Sequence, residues 1–332
     1  MCRFPRLNRD IQVAMPFRCL LALLALVAGC AGIPEPEPRN PVLDRDFPDP
    51  AVLIAPDGWY YAYATQSDGF NFQVARSRDL AQWEHVGEAM PVKPAWASRT
   101  QVFWAPHVIR DGATYYMYYS AERNTAKGKC LSVATASAPA GPFVDSGAPL
   151  LCGSGIEHID PMAFDDPRTG RRLLYWGSGP IRAQELAPDR LRFAPGSRPV
   201  ELLQRDPKRP YRRLIEGAWV VFRDGYYYLF FSGDRCCDRE PRYAVMVARA
   251  RDALGPFEEL EPPILEASDA WLAPGHNSVI ADRRGNDWIV YHAIDPARHA
   301  ARTAPGVERV MLIDRLEYSD GWPRVRSRHA VP

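Results

Sequence analysis

Five short segments of the chain start alike and return at a nearly constant interval: Asp49-Pro50-Ala51-Val52, Ala105-Pro106-His107-Val108, Asp160-Pro161-Met162-Ala163, Glu216-Gly217-Ala218-Trp219 and His276-Asn277-Ser278-Val279. Their first residues are 56, 55, 56 and 60 positions apart. A period of that length belongs to supersecondary units that bury their faces against one another. Three of the leading residues are acidic and one is histidine. A fold that superposes the units therefore gathers three carboxyl groups and an imidazole about one axis.

The residues after each lead specify strands. Asp57-Gly58, Asp111-Gly112 and Asp224-Gly225 are tight turns entering aromatic runs at 59–63, 114–119 and 226–231, and Thr169-Gly170 and Gly285-Asn286 do the same before Leu173 and Trp288. Aromatic and β-branched runs behind Gly turns suit a pleated, half-buried surface. A third strand is expected at 72–76, 130–135 and 243–249, and the last unit closes with 310–314 and a turn at Asp320-Gly321. Three or four strands per unit, five units and no long amphipathic helix predict an all-β, five-bladed β-propeller over residues 45–328, with the leads ringing the mouth of its channel.

Proline at 32 and glycine at 23 fit a chain of many turns, and a formal net charge of +1 gives no reason to expect nucleic acid as a partner. Lys208-Arg209 and Arg212-Arg213 read as solvated loop. No phosphate loop, dinucleotide fingerprint or zinc-type Cys/His spacing occurs.

The N-terminus is a separate matter. The apolar stretch 20–27 is too short to span a bilayer, follows Arg18, and precedes Ala28-Gly29-Cys30. Small residues before such a Cys resemble a bacterial lipobox, so residues 1–30 are expected to be a lipoprotein signal peptide, with Met15 as an alternative start. The protein is then exported and held in the cell envelope, at the outer membrane of a Gram-negative cell, by lipid on Cys30. Residues 31–44, where Pro34, Pro36 and Pro38 alternate with Glu35 and Glu37, read as an extended tether. Export permits disulfides among Cys130, Cys152, Cys236 and Cys237. A Cys130–Cys152 bridge is expected to be feasible and Cys236–Cys237 can form only a vicinal ring, but spacing does not choose among the pairings.

Asp49, Asp160 and Glu216 come from units one, three and four. Such a trio is what glycoside hydrolysis uses: a carboxylate base, a carboxylic acid, and a third group that tunes the acid. Direct attack by water needs base and acid well apart, about 6.5–9.5 Å, and non-adjacent blades can supply that gap.

In this order, Asp-Phe-Pro-Asp-Pro-Ala at 46–51, Trp104-Ala105-Pro106, Ile159-Asp160-Pro161, Ile215-Glu216-Gly217-Ala218 and Pro274-Gly275-His276-Asn277-Ser278 resemble the signature of glycoside hydrolase family 43. The resemblance runs from about Asn40 to Arg326. It implies hydrolysis of α-L-arabinofuranosyl or β-D-xylosyl linkages with inversion, with Asp49 as general base, Glu216 as general acid and Asp160 as the residue that raises and positions the acid. It also implies that His276 faces a calcium ion in the channel. Two positions depart from the pattern: Ala218 where proline is frequent, and His107 where an acid is frequent.

Phe47, Trp104 and Trp271 lie near the leads and are candidates to stack on a sugar ring, and Arg309 is a candidate sugar contact in the last unit. The segment around Cys236-Cys237 resembles arabinan-acting members, which favours an arabinan-type oligosaccharide or polysaccharide substrate. A β-xylosidase and a non-catalytic glycan-binding propeller are the alternatives. A monomer is expected.

Overall fold

The computed structural model describes residues 37–125, 127–302 and 307–326. The expected signal peptide, its lipidated Cys30 and the first part of the tether lie outside the described residues.

The described chain forms five antiparallel sheets in sequence order. Blade one contains β1 (Ala51–Ile54), β2 (Tyr60–Ala64), β3 (Gln73–Ser77) and β4 (Trp83–Glu88). Blade two contains β5 (Trp104–Asp111), β6 (Thr114–Glu122), β7 (Lys129–Ala136) and β8 (Val144–Asp145), with β9 (Leu151–Cys152) pairing β7 beside it. Blade three contains β10 (Met162–Asp165), β11 (Arg172–Trp176), β12 (Ile181–Glu185) and β13 (Val200–Leu203). Blade four contains β14 (Glu216–Arg223), β15 (Tyr226–Arg235), β16 (Arg242–Ala250) and β17 (Glu258–Glu259). Blade five contains β18 (Leu272–Ala281), β19 (Asp287–Ile294), β20 (Val310–Ser319) and β21 (Trp322–Arg326). The first strands neighbour one another in turn, β1 beside β5, then β10, β14, β18, and β18 beside β1 again. This closed ring is the five-bladed propeller.

The second strand of each blade is sandwiched between sheets, so both of its faces are buried. That is why β2 reads Tyr-Tyr-Ala-Tyr-Ala without polar alternation. Each fully buried tyrosine or phenylalanine contributes about 1.5–3 kcal/mol, and the tyrosines also stitch blades together. Tyr63 donates its hydroxyl to the Pro139 carbonyl, Tyr118 to Arg190, Tyr175 to Ala253 and Tyr228 to Gly321, each on the following blade. The ring is closed by residues 40–47, laid along the start of β20: Asn40 exchanges two hydrogen bonds with the backbone of Ile313, the Val42 N–H donates to the Met311 carbonyl, and the Phe47 N–H to that of Arg309.

Each blade has an equivalent left-handed residue at or near the start of its first strand: Asp49 (φ 57°), Ala105 (45°), Asp160 (57°), Gly217 (63°) and His276 (47°), with Ala273 (47°) a second one in β18. For non-glycine residues this conformation costs about 1–2 kcal/mol, and a hydrogen bond from the preceding blade offsets it. The Ala105 N–H donates to Thr65 Oγ1, Asp160 to Ser120 Oγ, His276 to Ser232 Oγ and Asp49 to His292 Nδ1. In blade three the corresponding position is Gly177, which has no side chain. There the Gly217 N–H donates instead to Asp160 Oδ2 at 3.1 Å.

This geometry corrects the register of the fourth repeat. Gly217, not Glu216, is the equivalent of Asp49, and the register shift between Glu216 and Trp219 in β14 matches those between Trp104 and His107 in β5 and between Gly275 and Ser278 in β18. The disulfides are Cys130–Cys152, joining β7 to β9, and Cys236–Cys237. Arg212 departs from the solvated loop expected of its neighbourhood. It is buried, donates to Glu259 and the Gln204 carbonyl, and lies over the Phe231 ring.

Candidate active site

Three of the left-handed entries, Asp49, Asp160 and His276, carry side chains at one mouth of the ring. A cavity of about 530 Å³ opens there, and Asp49, Trp104, Asp160, Glu216, His276 and Arg309 all line it. The three carboxyl groups are nearly sealed from solvent, at 9%, 6% and 8% exposure for Asp49, Asp160 and Glu216. Burial of a carboxyl group favours its neutral form, so the partners of each decide its charge.

Asp49 remains ionised. Burial acts to raise its pKa, but the Arg309 guanidinium, followed by His276 and His292, carries it well below the ordinary carboxylate value. Arg309 donates to Asp49 Oδ1 at 2.9 Å and Thr65 Oγ1 donates to Oδ2 at 2.5 Å. Burial lowers both histidines, His292 to about 4, so Arg309 supplies the positive charge that holds Asp49. His292 accepts the Asp49 N–H at Nδ1, and His276 Nδ1 stands 3.3 Å from Asp49 Oδ1 and 3.8 Å from Asp160 Oδ2.

Glu216 is tuned the other way. Burial pushes it up to about 7; the Asp49 charge adds to this, while a hydrogen bond from the Tyr243 hydroxyl (2.8 Å to Oε1) and Arg309 oppose it. Asp160 is pushed well above its usual range by burial, then by the charges of Glu216 and Asp49. Burial and mutual repulsion therefore favour retention of a proton on the Asp160 and Glu216 pair near neutral pH. Sequence reasoning credited the raising of Glu216 to a negative Asp160; in the structure burial comes first and Asp49 second, and Asp160 is itself raised. One cavity thus holds an ionised carboxylate and a carboxyl group raised toward its protonated form, a pairing suited to acid–base chemistry.

Other expected residues fall elsewhere. Phe47 is fully buried among Val42, Leu43, Val52 and Met311, where the closing segment meets blade five, so it cannot stack on a sugar. Trp271 is outside the cavity, packed against the large core of blades three to five. Arg309 lines the cavity but is spent on Asp49. Trp104 does line it, backed by the Lys129 ammonium 3.6 Å from its ring. His107 lies below the mouth, lowered to about 3 by burial, accepting the Ala163 N–H and packing edge-on to Trp219. Sequence reasoning missed Thr65, His292 and Tyr243.

Among the described residues, no group of three or more His, Cys, Asp or Glu side chains is placed to hold a metal directly. The narrow channel beneath the site is nevertheless lined by His276 and by Asn277, whose Oδ1 and Nδ2 are buried without partners. With its proton on Nδ1 toward Asp49, His276 keeps a lone pair on Nε2. Calcium takes oxygen ligands, so Asn277 Oδ1 would suit the ion directly and His276 Nε2 would suit it by accepting a hydrogen bond from one of its waters.

Comparison with known proteins agrees with this geometry. The model of "Glycosyl hydrolases family 43" matches residues 38–323. The β-D-galactofuranosidase xynD of Aspergillus niger is 30% identical over 85% of this chain and 82% of its own length. A probable arabinan endo-1,5-α-L-arabinosidase B of Aspergillus flavus is 26% identical over 91% and 97%. The crystal structure of a thermostable family-43 glycoside hydrolase superposes with a TM-score of 0.77 at 30% identity, covering 89% of this chain and 98% of that one. A family model spanning nearly the whole propeller, and relatives aligned along most of their length, leave one conclusion: the chain belongs to glycoside hydrolase family 43.

Proposed function

We propose that the protein is an inverting glycosidase acting on α-L-arabinofuranosidic linkages of arabinan-type glycans. The observation that carries the mechanism is the opposed tuning of Asp49 and Glu216 within one cavity. Asp49 takes a proton from a water that attacks the anomeric carbon. As the bond from that carbon to the leaving oxygen breaks, Glu216 gives its proton to the oxygen. Asp160 anchors Gly217, next to Glu216, and so positions the acid. Arg309 and Thr65 hold Asp49 in its ionised form.

Support for the substrate class comes from the arabinan-acting relative and from the Cys236–Cys237 segment at the cavity wall. The galactofuranosidase relative makes galactofuranosides the second series to test. Calcium in the channel, held by Asn277 and through water by His276, would supply positive charge beneath Asp49. Formation of both disulfides supports export, and with it the expected anchoring in the envelope through Cys30.

The test is release of reducing sugar from linear and branched arabinan, xylan and a galactofuranosyl glycan, with Asp49→Asn run in parallel. Release from arabinan that disappears in the variant is expected. Release from another polymer alone refutes the arabinan assignment. Binding without release by the folded wild-type protein makes it a glycan-binding propeller.

A further inference from the structure

The two disulfides of this protein do different things. Cys130–Cys152 ties β7 to β9 across 22 residues, whereas Cys236–Cys237 joins neighbours. A bridge between adjacent residues closes no chain loop, so it gains nothing from restricting the unfolded state in the way a long loop does. Its consequences are local. It turns the tip of the β15–β16 hairpin into a small rigid ring whose sulfurs and methylenes are apolar and polarisable.

That ring faces the active-site cavity, with Leu214 and Asp234 beside it and Arg235 and Asp238 on either side of it. The hairpin is fastened on several sides. Asp234 Oδ1 accepts the Arg213 N–H, Arg235 pairs with Asp238 (3.7 Å) and Glu240 (3.8 Å), and His299 Nε2 meets the Arg239 carbonyl. Cys236 packs against the cluster of Tyr243, Ala273 and Ile294, and the Tyr243 hydroxyl holds Glu216. The ring and the acid therefore belong to one blade and share that support.

Glu216 gives its proton to the leaving oxygen, so the sugar on the leaving side of the bond lies along the wall of blade four. We infer that the Cys236–Cys237 ring is the platform of the leaving-group subsite, receiving the C–H face of the sugar next to the scissile bond, with Arg235 and Asp238 placed to meet its hydroxyls. A surface without rotamers loses little freedom on binding, which suits a shallow apolar contact. This inference rests on the proposed role of Glu216, and its ligand is a glycan of at least two residues.

The experiment separates the two claims. Binding is measured by titration calorimetry in a Glu216→Gln background, with and without Cys236→Ala/Cys237→Ala, using the mono-, di- and trisaccharides of the arabinose, xylose and galactofuranose series. Cys130→Ala/Cys152→Ala serves as a control for disulfide loss in general. The expected result is a loss of about tenfold in affinity for the di- and trisaccharide, no change for the monosaccharide, and no such split in the control. Equal losses for all lengths, no loss, or no binding of any series overturns the inference. Should the cysteine variant fold poorly, Arg235→Ala/Asp238→Ala reads the same subsite and must show the same dependence on length. The glycosidase reading is judged separately, by turnover in the wild-type protein.

Discussion

Replacing Tyr243 with phenylalanine removes one oxygen from the wall between Glu216 and His292 and leaves the ring in place. The hydroxyl donates to Glu216 Oε1 at 2.8 Å and thereby favours the ionised acid, against burial that favours the neutral one. A hydrogen bond to a charged group is worth about 1.5–3 kcal/mol, and one pH unit corresponds to about 1.4 kcal/mol. Loss of the bond should therefore raise the acid's pKa from its present position near 7 by about one to two pH units. The alkaline limb of kcat/KM, which follows deprotonation of the acid, moves upward by that amount. A weaker acid also transfers its proton more slowly, so kcat at the optimum falls about threefold to tenfold. The assay is a pH–rate profile of both proteins on one substrate, with melting temperatures measured alongside. A limb that stays put or moves downward refutes the reasoning. A drop in melting temperature with an unmoved limb would make Tyr243 a packing residue and nothing more.

Arg309→Met strips the guanidinium from a buried carboxylate, a change that costs about 3–5 kcal/mol when one partner of such a pair is lost. It should lower kcat/KM at least about a hundredfold, and activity within a few-fold of wild type would remove Arg309 from the base's support. Cys130→Ala/Cys152→Ala opens a 22-residue loop and should lower stability by about 3 kcal/mol, read by denaturant unfolding, without altering the pH profile. Removing calcium with a chelator should lower the melting temperature and calcium should restore it; a melting temperature indifferent to both dismisses the ion.

The blades were legible because each announces itself with a Gly turn and a run of aromatic or aliphatic residues, and burial on both faces demands such runs. The acids were legible for the same reason, since they stand at the strand entries. The fourth repeat was misregistered because it was aligned on the carboxyl group, whereas the ring is organised by backbone conformation. Val52, Val108, Ala163, Val220 and Val279 stand three residues after the left-handed positions, and their spacing contained the correct register. Thr65 and His292 could have been found as the polar residues closing second strands, beside Ser120 and Ser232. Tyr243 carried no local signal, because it reaches Glu216 only across the pairing of β15 with β16. Phe47 misled by proximity: an aromatic beside a lead is as readily claimed by the seam between blades as by a sugar.

Asp49 and the arginine that keeps it charged are 260 residues apart in the chain, and the same arginine is bonded through its backbone to Asp46 and Phe47 of the closing segment. During synthesis the base is made in the first blade and its counter-ion only in the last. Until the ring shuts, Asp49 has neither the burial that opposes its charge nor the guanidinium that offsets it. On the proposed mechanism, the site that activates water is therefore assembled only when the circle is completed.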